Sequence, residues 1–275
     1  MKLLVFQTLW GWKGSAEKAE GVRVEEGFDG FEGMMREGWE DLLREREYVG
    51  EVVTGGDYVP VGRKGVQAHL DDLSRGVELC LRGEPRMVNV MGGCDWWEFG
   101  EKVRFVEGFL EVERALGVPL SLETHRSRVT FHPWVTRDLL REVPEVGVTC
   151  DFSHWCCVCE RLVMDEEQEL LELLAGRCRH VHGRVGYGQG PQVPDPMLET
   201  FAQELAGHER WWRVLWDAGV AGGQREFTMT PEFGPDGYQQ EDAWGRVEVP
   251  ELMELNAGMG RWWRERFGGF GRGGE

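Results

Sequence analysis

Four apolar runs of this 275-residue sequence end in a polar side chain that could bind a metal ion or move a proton. An apolar strand does not tolerate a carboxylate at its inner end without a partner, because burying an unpaired charge is costly. Crowded carboxylates repel and raise each other's pKa, and a divalent cation relieves that repulsion. Two or three carboxylates with an imidazole suit Mn²⁺, Mg²⁺, Co²⁺ or Zn²⁺. The four side chains are those of Glu123, Asp151, His182 and Glu232.

The elements that carry these residues alternate between short apolar runs and longer amphipathic stretches. From Val66 to Leu81, for example, apolar residues recur every three or four positions, which is the spacing of one helix face. We predict strands over residues 3–9, 28–32, 48–54, 87–91, 120–124, 146–151, 180–185 and 226–232. We predict helices over residues 66–81, 99–116, 136–142, 165–175, 196–218 and 250–267.

This alternation predicts parallel βαβ units and an α/β fold. A doubly wound open sheet usually carries a Gly-rich phosphate loop after its first strand, and residues 8–14 (TLWGWKG) contain no such loop. We therefore expect one domain, a (β/α)8 TIM barrel over residues 1–267, followed by a flexible Gly-rich tail over residues 268–275. Because the carboxyl ends of barrel strands meet at one mouth, the four polar strand ends should face each other.

Other polar residues near strand ends allow more than one interpretation. His180 and His182 have the same parity, so both should point inward, with His182 nearer the mouth and His180 packed or hydrogen-bonded deeper. Glu32, at the end of the second strand, could orient a neighbour, and we favour a structural role for it. His125, two residues after Glu123, either contacts substrate or begins the following loop.

Aromatic and basic residues follow the predicted strands as well. Trp10 follows the first strand, where an aromatic wall could shape a small-molecule pocket. Arg126, Arg128 and Arg184 lie near the mouth and either bind an anionic group of the substrate or pair with the many acidic residues.

The set Glu123, Asp151-x-x-His154, His182 and Glu232 resembles the site pattern of the xylose isomerase-like barrel superfamily. That superfamily includes sugar-phosphate isomerases, ketose 3-epimerases and hydroxypyruvate isomerases. The resemblance implies one divalent metal ion, with Mn²⁺ favoured, on Glu123, Asp151, His182 and Glu232. It also implies substrate binding by His154, to which we add His125, Arg184 and Trp10 as candidate substrate contacts.

The same resemblance implies a reaction. In the epimerase members the corresponding glutamates form an acid/base pair, which here would be Glu123 and Glu232, and an enediolate links the isomers of a sugar-like hydroxy-carbonyl compound. Residues 27–32 (GFDGFE) also resemble the superfamily's second strand. Two segments depart from the pattern. His182 is followed by GRVGY instead of Lys-Asp or Gly-Glu, and Glu123 by THRSR instead of an asparagine-bearing loop, so we expect a different substrate.

Composition and charge limit the classes of molecule that we expect the protein to bind. The formal net charge of −18 would repel a phosphate backbone, so we expect a small-molecule substrate and no nucleic acid. No apolar run is long enough to span a membrane. The seven cysteines, four of them between residues 150 and 159, indicate reduced thiols in a cytoplasmic protein without a signal peptide. A homo-oligomer is compatible with the sequence.

Other functions remain open at this stage. A metal-dependent hydrolase or lyase could use the same site, with a water molecule activated by the metal. The DNA-repair endonucleases of the superfamily use several metals and more histidines, which the acidic charge and the seven histidines disfavour. A barrel that only binds a ligand is a third candidate. A serine nucleophile elbow and a lysine on a late strand are both missing from the sequence.

Overall fold

The apolar runs form eight parallel strands in a computed structural model that describes residues 1–235, 237–239 and 251–268. Each strand pairs with the next one along the chain, and the last pairs with the first, so the sheet closes into a barrel. This confirms the predicted (β/α)8 TIM barrel. The strands are β1 (Lys2–Thr8), β2 (Gly30–Gly33), β3 (Glu47–Val53), β4 (Met87–Met91), β5 (Leu120–Glu123), β6 (Val148–Cys150), β7 (Cys178–His182) and β8 (Glu226–Thr230).

Helices follow the strands and cover the outside of the barrel. In the described part of the chain they are α1 (Ala16–Glu26), α2 (Glu40–Arg44), α3 (Val66–Cys80), α4 (Phe99–Leu116), α5 (Pro133–Glu142), α6 (Ser153–Val158), α7 (Gln168–Ala175), α8 (Ala202–Ala221) and α9 (Leu252–Phe267). One-turn 3₁₀ helices cover Leu81–Gly83, Val163–Asp165 and Glu199–Phe201. None of the described helices combines the length and apolar character that a membrane span requires.

Helices α1, α2 and α6 lie where the sequence pattern predicted none. Helix α1 buries only Ala19, so its sequence has no apolar stripe to reveal it. Its ends are set by local chemistry instead: the Ser15 side chain accepts a hydrogen bond from the Lys18 N–H, and Gly27 closes the helix at a φ of 72°. Helix α2 has only five residues, which is too short for a period to show.

The predicted helix over residues 196–218 begins later, at Ala202. The Asp195 side chain accepts a hydrogen bond from the Met197 N–H at 2.8 Å, which holds the preceding segment in a turn. The predicted helix over residues 250–267 begins at Leu252, and residue 250 lies outside the described residues. The predicted tail also lies outside them from residue 269 onward.

Six strands end one to three residues earlier than predicted, and three of them lie next to site residues: β6 ends at Cys150, β7 at His182 and β8 at Thr230. Asp151 and Glu232 are therefore loop residues at the mouth, where the backbone leaves the ladder. The difference matters little for side-chain placement, because the chain has travelled only one or two residues past the last strand position.

Apolar side chains close the amino-terminal end of the barrel interior. Leu4, Phe6, Val49 and Met87 form a separate buried cluster there. Polar inner residues such as Asn89 lie above this layer, toward the carboxyl ends of the strands. A larger apolar core fills the space between strands and helices, where each fully buried Leu, Val or Phe side chain contributes roughly 1.5–3 kcal/mol. The apolar shell thus provides a rigid frame for polar groups at the mouth.

Candidate metal centre

Four strand ends bring one imidazole and three carboxylates to a common point. Glu123 and His182 are the last residues of β5 and β7, Asp151 directly follows β6, and Glu232 lies two residues beyond β8. One ligand atom from each of the four residues lies within 4.8 Å of every other. None of these residues is more than 6% exposed, so their charges are largely withdrawn from bulk water.

The distances fit a single small cation. Nδ1 of His182 lies 3.0 Å from Glu232 Oε2, 3.7 Å from Glu123 Oε1 and 3.8 Å from Asp151 Oδ2. Ligands at roughly 2.1 Å from one ion are roughly 3.0–3.4 Å apart, so only small shifts separate this arrangement from a coordination shell. Although Glu232 is near, Nδ1 of His182 has no hydrogen-bond partner. A buried ring nitrogen that faces three carboxylates forms with them a donor set that could hold a divalent cation.

The crowding of buried charges shifts the pKa values of Glu123 and His182. Burial, opposed by His182 and reinforced by Glu232 and Asp151, raises the pKa of Glu123 to about 8. Burial alone would lower the pKa of His182, but the carboxylates of Glu232, Glu32 and Glu123 raise it well above its usual value. Both raised pKa values favour the protonated groups, so binding of a divalent cation here would release protons.

Glu32 fixes the orientation of His182. Its two oxygens accept hydrogen bonds from Nε2 of His182 and Nε2 of His180, each at 3.1 Å. Burial would raise the pKa of Glu32, but the two histidines outweigh it and hold that pKa well below its usual range. Because Nε2 of His182 donates to Glu32, Nδ1 is left free to face the carboxylates. His180 also bonds through Nδ1 to Thr228 Oγ1 at 2.8 Å, deeper in the barrel as expected.

Arg184 forms an ion pair and hydrogen bonds with residues of the same centre. Its guanidinium donates to Asp151 Oδ2 at 2.5 Å and to Ser153 Oγ at 3.1 Å, and Nε2 of His154 lies 2.8 Å from it. Burial would raise the pKa of Asp151, but Arg184, with help from His154 and His182, lowers it well below its usual value. Arg184 therefore pairs with an acidic residue, as one of the two interpretations of the sequence predicted. This acidic residue is buried at the mouth and does not lie on the surface.

His154 lies between this pair and the rest of the site. Its Nε2 is 3.6 Å from Asp151 Oδ2 and 4.0 Å from Glu123 Oε1, and its Nδ1 has no hydrogen-bond partner. Its ring packs against that of His125, with 3.9 Å between centroids. Burial, with smaller contributions from His125 and Arg184, lowers the pKa of His154 well below its usual range, so the ring is neutral.

An aromatic wall covers the mouth above the carboxylates. Trp10, from the loop after β1, stacks on Tyr58 at 6.0 Å and meets Tyr238 edge-on at 4.8 Å. Nε2 of His125 bonds to the Tyr58 hydroxyl at 2.7 Å, and the Tyr58 and Tyr238 hydroxyls bond to each other. Arg184 lies beneath the rings of Trp10 and Tyr238, at 5.5 and 4.9 Å from their centroids. Loops after β1, β3, β5 and β8 therefore build one wall.

The wall and the carboxylates enclose a cavity of about 760 Å³. Glu123, Glu232, His125 and Trp10 are among its lining residues, so four of the predicted site residues are accessible from it. Glu51, on the inner face of β3, also lines the cavity and is partly exposed to it. Partial burial, together with Glu232, Glu32 and Glu123, raises the pKa of Glu51 well above its usual value.

Sequence reasoning missed several residues of this site, among them Asn89, Glu51, Tyr58 and Tyr238. Asn89 donates a hydrogen bond to Glu123 Oε2 at 2.6 Å, and its place in the otherwise apolar β4 was a signal that could have revealed it. Glu51 interrupts β3 in the same way. Tyr58 lies in a loop and carries no local signal. None of the candidate ligand groups in the described residues includes a cysteine, and all seven thiols are free.

No protein-family model and no curated protein sequence matches the chain. Several solved structures, in contrast, do match the chain. An L-ribulose 3-epimerase superposes with a TM-score of 0.63 at 15% identity, covering 98% of this chain and 95% of that one. The IOLI protein with a bound zinc atom gives 0.63 at 13% identity, over 97% and 99% of the two chains. The probable 3-DHS dehydratase AsbF of Bacillus anthracis gives 0.58 at 13% identity, over 95% and 98%. These likenesses confirm the predicted resemblance at the level of the fold.

Proposed function

We propose that this chain is a divalent-metal-dependent isomerase or epimerase of a sugar-like hydroxy-carbonyl compound. The observation that carries the proposal is the convergence of Glu123, Asp151, His182 and Glu232, within 4.8 Å of one another, beside a cavity large enough for a small molecule. The similar L-ribulose 3-epimerase supports the substrate class, and the zinc-binding IOLI protein supports a bound metal ion.

Glu123, Asp151, His182 and Glu232 would hold the ion. The donor set of three carboxylates and one imidazole is rich in hard oxygen ligands, which favours Mn²⁺ over softer alternatives. A bound divalent cation would supply the positive charge that stabilises the oxygens of an enediolate. Glu32 would keep His182 in the tautomer that binds through Nδ1, and Arg184 would keep Asp151 ionised.

Glu123 and Glu232 would move the protons. Both carboxylates line the cavity, so a substrate carbon placed between them can lose its proton to one glutamate and regain a proton from the other. Asn89 holds one oxygen of Glu123 at 2.6 Å and thereby orients the other toward the centre. Return of the proton to the opposite face gives an epimer, and return to the neighbouring carbon gives an aldose–ketose isomer.

The remaining residues would bind substrate and exclude water. Trp10 and His125 face the cavity and would contact the carbon skeleton and the hydroxyl groups of the substrate. Nε2 of His154 accepts a hydrogen bond from Arg184, so in the neutral ring the unpartnered Nδ1 carries the hydrogen and would donate to a substrate oxygen. Arg184 is engaged with Asp151, so we propose that it contacts substrate only at the rim beneath Trp10.

A metal-dependent lyase is the second candidate, because the dehydratase AsbF has the same fold and an acid/base pair also serves elimination. Incubation of the manganese-loaded protein with ketoses such as D-fructose in deuterated water separates the two. Deuterium at the carbon next to the carbonyl, measured by NMR, supports isomerisation, and a dehydrated or cleaved product supports the alternative. If no ketose exchanges a proton or forms a product, the proposed isomerase is contradicted. A Glu113→Gln variant, changed at an ion pair with Arg179 outside the mouth, is the matched control.

A further inference from the structure

The barrel wall has an opening beside the candidate metal centre. Strand β2 ends at Gly33, opposite Gly50 of β3, whereas β3 continues through residues 51–53, which pair with β4. The β2-facing edge of β3 is therefore uncovered above Gly50, and the backbone oxygen of Glu51 is met there by the Cys80 thiol at 3.7 Å. This opening connects the mouth of the barrel with the groove between the loop after β2 and helix α3.

The cavity runs through this opening. It extends from Glu123 and Glu232 past Glu51 to a group of apolar and thioether side chains that we name the β2–β3 cleft. Met34 and Leu79 of this cleft are 48% and 46% exposed, although both are large apolar residues. Exposed apolar side chains that continue directly from a buried site are typical of a ligand-binding surface. The cleft consists of Met34, Met35, Leu79 and Cys80.

The cleft offers little for a charged ligand. Asp72 and Arg75 also line it, but they form an ion pair with each other at 2.5 Å. Methionine side chains are flexible and polarizable, so Met34 and Met35 can adjust to the shape of an apolar group. The chemistry of the cavity therefore changes along its length, from carboxylates at the metal centre to apolar surface at Leu79.

The size of the cavity also indicates a ligand that extends from the metal centre into the cleft. Its volume of about 760 Å³ lies within the range of roughly 300–1,000 Å³ that encloses drug-sized ligands. A free pentose or hexose bound at Glu123 and Glu232 would leave the cleft filled only with water. We infer that the substrate carries an apolar alkyl or aryl group beyond the hydroxy-carbonyl end that reacts, and that the β2–β3 cleft binds this group. The inference rests on the proposed function, which places the reacting end at the metal.

Alkyl hydroxamates test this inference, because a hydroxamate offers a carbonyl and a hydroxyl oxygen to a metal and can carry an alkyl chain of chosen length. Binding of acetohydroxamate and octanohydroxamate to the manganese-loaded protein is measured by calorimetry. We expect affinity to rise by roughly twofold to fourfold for each methylene that enters the cleft. Leu79→Gln and Met34→Gln should each lower the affinity for octanohydroxamate by roughly fivefold to tenfold. Neither variant should change the affinity for acetohydroxamate.

Val220→Gln is the matched control, because Val220, like Leu79, is the penultimate residue of its helix and a half-exposed apolar side chain. It should leave both affinities unchanged. Equal affinities for the short and long hydroxamates would overturn the inference, as would a chain-length gain that Leu79→Gln and Met34→Gln leave intact. Absence of metal-dependent acetohydroxamate binding would instead count against the metal centre itself, and so against the inference that depends on it.

Discussion

Replacement of Glu32 by glutamine should weaken metal binding although Glu32 is not itself one of the four ligands. Both of its oxygens accept hydrogen bonds, one from His180 and one from His182, at 3.1 Å each. Glutamine keeps the shape of the side chain and one acceptor oxygen. It carries no charge, and an NH₂ donor group stands in place of the other oxygen. One of the two histidines must then face an N–H group or change its tautomer.

The size of the effect follows from these bonds. A hydrogen bond to a charged group contributes roughly 1.5–3 kcal/mol and one between neutral groups roughly 0.5–1.5 kcal/mol. The loss at His182 is therefore about 1–1.5 kcal/mol, which corresponds to a roughly fivefold to tenfold lower affinity for the ion. Glu32→Ala leaves both N–H groups without an acceptor, and we expect a loss nearer 100-fold, the upper end for partners of metal ligands.

The assay is calorimetric titration of chelator-treated protein with Mn²⁺, and the control is Glu113→Gln. Glu113 accepts two hydrogen bonds from Arg179 outside the mouth, so this variant also loses a charged hydrogen-bond acceptor without touching the centre. Glu113→Gln should bind manganese like the unmodified protein. If Glu32→Gln binds it within a factor of about two of the control, Glu32 does not orient His182 and the reasoning is refuted.

Glu123→Gln or Glu232→Gln should slow deuterium exchange beside the carbonyl by roughly 10²–10⁴-fold with an unchanged circular dichroism spectrum, and exchange at the original rate would exclude that glutamate as acid or base. Metal affinity should rise with pH below about pH 8, because the pKa of His182 lies well above its usual value, that of Glu123 is about 8, and both protons must leave when the ion binds. Calorimetry should show up to about a hundredfold gain per pH unit, and a flat profile would contradict the protonated metal-free centre. Arg184→Met should destabilise the metal-free protein by about 3 kcal/mol, because Asp151 loses its buried cation, and an unchanged urea midpoint would refute that pairing.

The barrel could be predicted because its signal is local and repeated. Each strand is a short apolar run, and each run that ends in a carboxylate or an imidazole marks the mouth. Glu123, Asp151, His182 and Glu232 could therefore be placed together before any contact was known, since parallel strands of a barrel share one carboxyl end. The structure brings all four within 4.8 Å of one another.

Contacts between distant strands could not be predicted in the same way. Glu32 and His182 are 150 residues apart, and no spacing in the sequence indicates which inner residue of β2 reaches which residue of β7. Arg184 was equally ambiguous, because an arginine near a mouth can bind substrate or pair with an acid, and only the packing around Asp151 decides between them. Tyr58 joins the wall through a loop whose path has no periodic signal.

The central claim is that one divalent ion binds where four strand ends meet. Titration of chelator-treated protein with Mn²⁺ should show one ion per chain, and Asp151→Asn should weaken it by at least about 100-fold. Asp165→Asn, which changes a half-exposed carboxylate paired with Arg210, should bind one ion as tightly as the unmodified protein. Absence of saturable binding, or equal affinity in the Asp151→Asn and Asp165→Asn variants, would contradict the claim.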